Sequence, residues 1–347
     1  MTQIVTIIGS CILTMVLVPV NILLSRKIGS VDKPRSRSIH DTITPKSGGI
    51  SIFFAIFITQ IVLILLHKQA TNDLFYGLLI GGFLIIILGL LDDIYDLHAW
   101  LKVLIEIGIV LIMITFNFKI ELLTNPFGNP IQIGIFSYPV TIIWFLLVIN
   151  AINLIDGLDG LAAGIIAIVS LILGIAGLTT GNHFVALFSF TIMGSCIGFL
   201  RYNFHPARIF LGDAGSLYLG FNIAALSVAG NAQYKGATAL TMLVPIIVLS
   251  VPLIDTLVTI FRRIKSTKHI FQADKNHLHH KLLGLGLSYK TVVLIGYFIT
   301  LLFGLISLGF LLVDRKILLC LLLGMGVLIF IIFYNIIKSE FLKNEKK

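Results

Sequence analysis

The stretch from Asn150 to Gly164, NAINLIDGLDGLAAG, sets two carboxylates, Asp156 and Asp159, and two side-chain amides, Asn150 and Asn153, between runs of hydrocarbon. The two acids are three residues apart, a spacing that puts both on one face of a helix or helix-like turn. Each is followed by glycine, so a ligand can approach the backbone closely. Ionisable groups beside membrane segments cost free energy, which makes them functional candidates. Asp92 and Asp93 end the expected third helix within the run LGLLDDIYDLHAW. Adjacent carboxylates repel and stay ionised together only near a metal or a base; a solvated helix end is the competing explanation. Asp213, in RIFLGDAGSLYLG, lies between Gly212 and Gly215 at the start of an apolar run. It suits Mg²⁺ or a phosphate-bearing metal complex, or a plain helix N-cap. Just upstream, Asn203 could hydrogen-bond a base or sugar, Arg208 could meet phosphate, and Phe210 could stack on a flat ring.

Two further groups complete the set. His277, His279 and His280 form HLHH after KHIFQADKN. A soft-metal site is one reading, but no cysteine is near and the acids elsewhere favour a hard cation. The imidazoles could instead hydrogen-bond sugar or phosphate oxygens. The segment VDKPRSRSIHDTITPKSGGI is basic and ends in a glycine pair. It could hold lipid headgroups or a substrate phosphate, although topogenic charge alone explains it too. Lys102 differs from these, because it lies just inside an apolar run where the Asp92–Asp93 pair could attract it.

The elements that must position these groups are membrane helices. Of the 347 residues, 57% are hydrophobic and 12% charged, with mean hydropathy +1.04. Such a composition describes an all-α polytopic integral membrane protein, read as one transmembrane domain over 1–347. The formal charge of +9 then reflects basic cytoplasmic loops rather than nucleic-acid binding. Cys11, Cys196 and Cys320 fall inside apolar runs and read as free packing residues. Eleven spans are expected near 3–24, 48–66, 74–91, 100–116, 138–152, 160–178, 183–200, 214–230, 236–262, 291–312 and 317–337. The 138–152 span is the shortest. The first reads as a retained anchor, since Arg26 and Lys27 follow it and no cleavage pattern does.

Charge sets the expected orientation. The connections 25–47, 92–102, 201–213 and 262–290, with the tail 338–347, hold 20 of the 25 Lys and Arg. That bias puts them in the cytoplasm, with the N-terminus outside and the C-terminus inside. The same side receives every acidic cluster above, the 150–160 connection and the histidines, which argues for one site. On the other side, FKIELL and IQIGIF flank NPFGNP and read as a small external hairpin. Pro245 and Pro252 should kink or break the ninth helix, with Asp255 facing its cytoplasmic end. There is no GxGxxG, Walker loop, Ser-His-Asp order or CxxC. The residues themselves therefore lead to a Mg²⁺-dependent site for a phosphate-rich substrate at the cytoplasmic surface.

Four segments, LDDIYDL, NAINLIDGLDGLAAG, NFHPARIFLGDAGSL and DKNHLHHKLL, occur in the order found in the polyprenyl-phosphate N-acetylhexosamine-1-phosphate transferases, which the chain resembles from TPKSGG to HLHHKLLGLGLS. The DKNHLHH form looks more like the branch using UDP-N-acetylglucosamine (UDP-GlcNAc) than the muramoyl-pentapeptide branch, which typically has three consecutive histidines. Glu106 departs from the pattern, where relatives often carry glutamine.

The resemblance implies transfer of GlcNAc-1-phosphate from UDP-GlcNAc to undecaprenyl phosphate in a bacterial cytoplasmic membrane, with Mg²⁺ as cofactor and Mn²⁺ as the substitute to test. It implies Mg²⁺ contact for Asp213 and Asn153, and uridine contact for Asp159, Asn203 and Phe210. The sugar–phosphate would meet His277, His279 and His280. Lys46, Lys102 and Asp156 would shape the phosphate site, and Asp92 and Asp93 would lie by the lipid phosphate. The partners expected are UDP-GlcNAc, the polyprenyl phosphate and the bilayer, with a homodimer as the assembly to test. Two alternatives stand beside this: the muramoyl-pentapeptide transferase, and a secondary transporter of an anionic solute. Transporters usually keep their ionisable groups near the bilayer midplane, whereas most acids here fall at span ends.

Overall fold

The structure, a computed structural model, describes residues 1–28, 30–32, 44–123, 131–232, 243–250, 252–254, 256, 282–284, 286–312 and 324. Among these the chain is a helical bundle. Helix α1 (Thr2–Ile28) leads to a two-stranded antiparallel pair, β1 (Val31–Asp32) and β2 (Thr44–Pro45). Then follow α2 (Gly48–Leu65), α3 (Asp73–Tyr95) and α4 (Ala99–Thr115). A second antiparallel pair, β3 (Leu122–Leu123) with β4 (Ile131–Gln132), forms the hairpin expected around NPFGNP. The bundle continues with α5 (Ser137–Ile155), α6 (Leu161–Thr179), α7 (His183–Asn203), α8 (Gly212–Ala232), α9 (Leu243–Val248) and α10 (Tyr289–Leu312). Seven of these helices are long and apolar enough to cross a membrane. The protein is a polytopic membrane protein. The span expected near 317–337, the HLHH histidines and Asp255 lie outside the described residues.

Four helices run three or four residues past the expected spans, each for the same reason. Helix α1 reaches Ile28 rather than 24, α3 reaches Tyr95 rather than 91, α5 reaches Ile155 rather than 152, and α7 reaches Asn203 rather than 200. Hydropathy ends a span where polar residues begin, but a helix needs only backbone hydrogen bonds and continues past the apolar boundary. The chemically interesting side chains therefore ride on rigid helix ends rather than loops. Helix α9 stops at Val248, four residues before Pro252. Proline has no N–H to give the Val248 carbonyl, so the break at Pro252 falls where it was expected, whereas Pro245 lies within α9 and does not end it.

Packing follows the small residues. Lipid is as apolar as leucine, so helices associate through close backbone approach and interhelical hydrogen bonds. Helix α6 packs on α7, α7 on α1, and both α3 and α5 on α8. Helix α8 is buried from Ala214 to Ala229, whereas α1 turns Ile4, Val5, Ile8, Ile12 and Val16 outward. Trp144 Nε1 donates to Ser227 Oγ at 2.8 Å, tying α5 to α8. Gln60 Nε2 donates to Thr191 Oγ1 at 2.9 Å, tying α2 to α7.

The start of α8 is the tightest place. A Cβ on Gly89 of α3 would lie 2.4 Å from Ala214 Cα, and one on Gly49 of α2 would lie 2.2 Å from Gly215 Cα. Backbone cannot give way as a side-chain tip can. Gly89→Ala is therefore expected to cost about 1–3 kcal/mol, read as a lowered thermal midpoint in detergent. Gly108→Ala is the control, since nothing lies within 4 Å of its position, and it should leave the midpoint unchanged.

Candidate active site

The β2–α2 segment, α3, α4 and α5 meet around the first turn of α8. The first is the segment after β2. Phe210 N donates to Pro45 O at 2.8 Å, Gly48 N to Phe210 O at 3.0 Å and Gly49 N to Leu211 O at 3.0 Å. TPKSGG thus runs along RIFLG like an extra strand. Gly212 sits at φ +75°, and a Cβ there would be 1.9 Å from the Lys46 carbonyl, so only glycine fits this turn. From the other side a buried network grips the same segment: Asn21 Nδ2 donates to Ser47 O at 2.6 Å and Ser51 Oγ at 3.0 Å, with Ser25 against Ser47.

The paired aspartates then divide the work. Asp93 has no accessible side-chain surface. Its Oδ1 accepts from Asp213 N and its Oδ2 from Ala214 N, both at 3.0 Å. A carboxylate from α3 therefore satisfies two of the open N–H groups that begin α8. Asp213 does not cap its own helix, which removes the N-cap explanation for it. Asp92 accepts from Leu97 N at 3.0 Å and from Lys102 Nζ in a short contact.

Lysine 102 joins the acids of two helices. Its Nζ also lies 3.4 Å from Asp213 Oδ1. Asn153 Nδ2 donates to that same oxygen at 2.5 Å and to Ser216 Oγ at 2.8 Å. The sequence suggested that the Asp92–Asp93 pair could attract Lys102; it meets that pair through Asp92, and its second partner is Asp213. Asp93 meets the other lysine, Lys46, at 3.9 Å. Lys46, Asp92, Asp93, Lys102, Asn153 and Asp213 thus form one connected cluster. Their sequence separations are large, yet every member sits within a turn or so of a helix end.

The α5–α6 turn borders this cluster. Asp156 caps the end of α5 and is partly accessible. Burial, then the charges of Asp213, Asp93 and Asp159, raise its carboxyl well above the ordinary aspartate range, and Lys46 offsets this in part. The native state then binds this proton more tightly than the unfolded chain. Stability accordingly falls as pH rises from the unfolded aspartate pKa of about 4 towards the raised native value. Asp156→Asn removes that cost. In metal-free buffer its thermal midpoint should exceed that of the parent protein at neutral pH, and the gap should close near pH 4; a gap that is flat with pH would refute the electrostatic account.

Asp159 and Asn203 do structural work at the other end of the turn. Asp159 is buried, and its Oδ2 accepts from His205 Nδ1 at 2.9 Å and Ala207 N at 3.1 Å. Asn203 Oδ1 accepts from Gly160 N at 3.0 Å while its Nδ2 donates to Ile209 O at 2.9 Å. Phe210 is half-buried and held through its backbone. Asn150 turns from the cluster to Glu106, donating to Oε2 at 2.8 Å. Sequence reasoning missed His205, Ser216, Tyr289 and Tyr297. The only signal was a histidine before proline in NFHPARIF, and nothing in SYK or GYF marked the tyrosines.

Among the described residues no group of three or more His, Cys, Asp and Glu could by itself hold a metal. The donors present still fit Mg²⁺ in one way. This ion commonly takes one or two carboxylates and completes its shell with substrate phosphates and water. Asp213 is the most accessible carboxylate of the directly bonded cluster, with 29% of its side chain exposed, and Asn153 stands beside it.

These helices and this cluster define a multi-pass membrane protein with a group of acids and lysines gathered at one set of helix ends. Residues 75–231 match the model of glycosyl transferase family 4. The chain is 38% identical over 301 residues to a probable undecaprenyl-phosphate N-acetylglucosaminyl 1-phosphate transferase of Bacillus subtilis, covering 86% of this chain and 82% of that one. It is 33% identical to the decaprenyl-phosphate N-acetylglucosaminephosphotransferase of Mycobacterium tuberculosis, over 80% of this chain and 75% of the relative. A phospho-N-acetylmuramoyl-pentapeptide-transferase of Caldicellulosiruptor bescii is 31% identical over 88% of this chain and 96% of its own length. The chain belongs to glycosyl transferase family 4.

Proposed function

We propose that the protein transfers GlcNAc-1-phosphate from UDP-GlcNAc to undecaprenyl phosphate at the cytoplasmic membrane face. UMP is released, and the lipid-linked sugar begins a cell-envelope glycan. The observation that carries this reading is the Lys102-bridged Asp92–Asp213 cluster in a chain 38% identical to the Bacillus subtilis transferase. The cluster supplies what the reaction demands. Two anionic substrates must meet, so positive charge has to stand beside carboxylates that can hold a metal.

Each residue has a part in this mechanism. Asp213, with Asn153, would hold Mg²⁺, which when bound would offset phosphate charge. Lys102 and Lys46 attract the phosphates. A lipid-phosphate oxygen attacks the sugar-linked phosphorus, and the bond to the UMP oxygen breaks. The acceptor needs little deprotonation, because a phosphate monoester has its second pKa at about 6 and is mostly dianionic at neutral pH. Asp92 and Asp93 then serve to position rather than to abstract a proton. Their bonding supports this: Asp93 holds two backbone N–H groups, and Asp92 holds Lys102 and Leu97 N.

A second donor is favoured by the similarity to the phospho-N-acetylmuramoyl-pentapeptide-transferase. Purified protein in detergent, given undecaprenyl phosphate, Mg²⁺ and labelled UDP-GlcNAc, separates the two. Label entering the organic phase with UMP release, both lost on adding EDTA, supports the proposal. Turnover only with UDP-MurNAc-pentapeptide overturns the donor and keeps the chemistry.

A further inference from the structure

The strongest unassigned feature is a clamp on the far half of the α5–α6 turn. Two separate elements grip it. From the α7–α8 connection come His205 Nδ1 and Ala207 N on the Asp159 carboxylate, and Asn203 Oδ1 on Gly160 N. From α10 come two tyrosines. The Tyr289 hydroxyl accepts from Asp159 N at 3.4 Å, and the Tyr297 hydroxyl donates to Gly160 O at 2.5 Å. The two elements also touch each other, since the His205 and Tyr289 rings stack with centroids 4.5 Å apart and planes 22° from parallel. A Cβ on Gly164 would fall 2.0 Å from the Tyr297 ring and hydroxyl, so α10 is pressed onto the start of α6 at this point.

Such a clamp answers a physical problem. The turn begins at Asp156, which faces the charges of Asp213, Asp93 and Asp159. A partly accessible side chain at the end of α5 can swing into water, and a five-residue turn ending at Gly160, where φ is +79°, has the freedom to let it. Fixing Asp159 and Gly160 from two sides removes that freedom. An ionised carboxylate only accepts hydrogen bonds, so His205 carries its hydrogen on Nδ1 when it meets Asp159. The ring is then oriented with its flat face on Tyr289.

We infer that His205 and Tyr289 are positioning residues, which act through Asp159 and Gly160 to hold Asp156 at the border of the acid cluster. The consequence for catalysis rests on the transfer reaction proposed above; the clamp itself does not.

The experiment has two arms on the full-length protein in detergent. In the first, hydrogen exchange of the 156–161 backbone is followed without substrate. His205→Ala should speed exchange there at least about tenfold while the rest of α5 and α6 stays unchanged. In the second, transfer is measured for His205→Ala, His205→Asn, Tyr289→Phe and the His205→Ala/Tyr289→Phe double variant. His205→Ala should lower kcat about 10- to 100-fold, the penalty of a misplaced group near the reacting atoms. Asn keeps a donor near the Nδ1 position and should restore most of that loss at an equal thermal midpoint. The double variant should cost less than the product of the single losses. Unchanged exchange in His205→Ala overturns the clamp, and so does exchange that speeds everywhere. Faster local exchange with kcat intact overturns the positioning role. Should the parent protein transfer no donor at all, the functional reading fails while the exchange arm still decides the clamp.

Discussion

Asp213→Asn is expected to lower transfer roughly 10³-fold, the scale set by removing a group that stabilises developing charge, while the thermal midpoint holds or rises. The two halves of this result come from the same geometry. The Asp213 Oδ1 already receives Asn153 Nδ2 at 2.5 Å and lies 3.4 Å from Lys102 Nζ, so an amide of equal shape loses the charge that both donors are aimed at. It also relieves repulsion, because Asp213 is among the charges that press on Asp156. A function-bearing acid held against its neighbours should cost stability, and its neutral replacement should return some of it. Label transfer and UMP release at saturating substrate, paired with thermal unfolding, test both halves. Retention of more than about a tenth of parent activity would remove Asp213 from the reaction, and a collapse of the midpoint would make it a structural residue.

Asp93→Ala should have the opposite profile. Its carboxylate is buried and takes the Asp213 and Ala214 N–H groups at 3.0 Å each. Alanine leaves both donors unpaired at the start of the most buried helix, for a loss of about 2–4 kcal/mol. Activity should fall with the midpoint, because the turn that carries Asp213 loses its anchor. Asp93→Asn retains one acceptor and should fall in between. The pH profile decides the role: positioning predicts a loss that is the same at about pH 6 and about pH 9, whereas steep recovery at high pH would mean that Asp93 removes a proton.

These two residues also illustrate what could be read from the sequence. Spans were legible because an apolar run of bilayer length is a one-dimensional signal: 48–66 was expected and Gly48–Leu65 is found. The gathering of Asp92, Asp93, Asn153 and Asp213 at one set of helix ends was legible as well, through the alternation of spans. The division of labour between Asp92 and Asp93 was not. Neighbours on a helix point about 100° apart, and which one meets Lys102 and which one meets the α8 backbone depends on how α3, α4 and α8 pack. Nor was the internal use of Asp159 and Asn203 legible, since their partners His205 and Gly160 lie 46 and 43 residues away. The tyrosines of α10 carried no signal at all, because an aromatic ring in an apolar helix reads as packing.

The bond from Asp93 to the Asp213 amide spans 120 residues of chain, and this bears on how the protein is made. At roughly 5–20 residues per second of synthesis, Asp93 waits about 6–24 s before the backbone it caps has been translated. Through that interval four helices, α4 to α7, must enter the bilayer around an acid whose partner does not yet exist. Its place at a helix end, beside Lys46 and within reach of water, lets the charge remain solvated until α8 arrives. A cluster built near mid-helix would have faced hydrocarbon for the whole of that wait. Nascent chains arrested before Asp213 should therefore be inserted yet accessible at Asp92 and Asp93, with both acids closing off only as α8 docks.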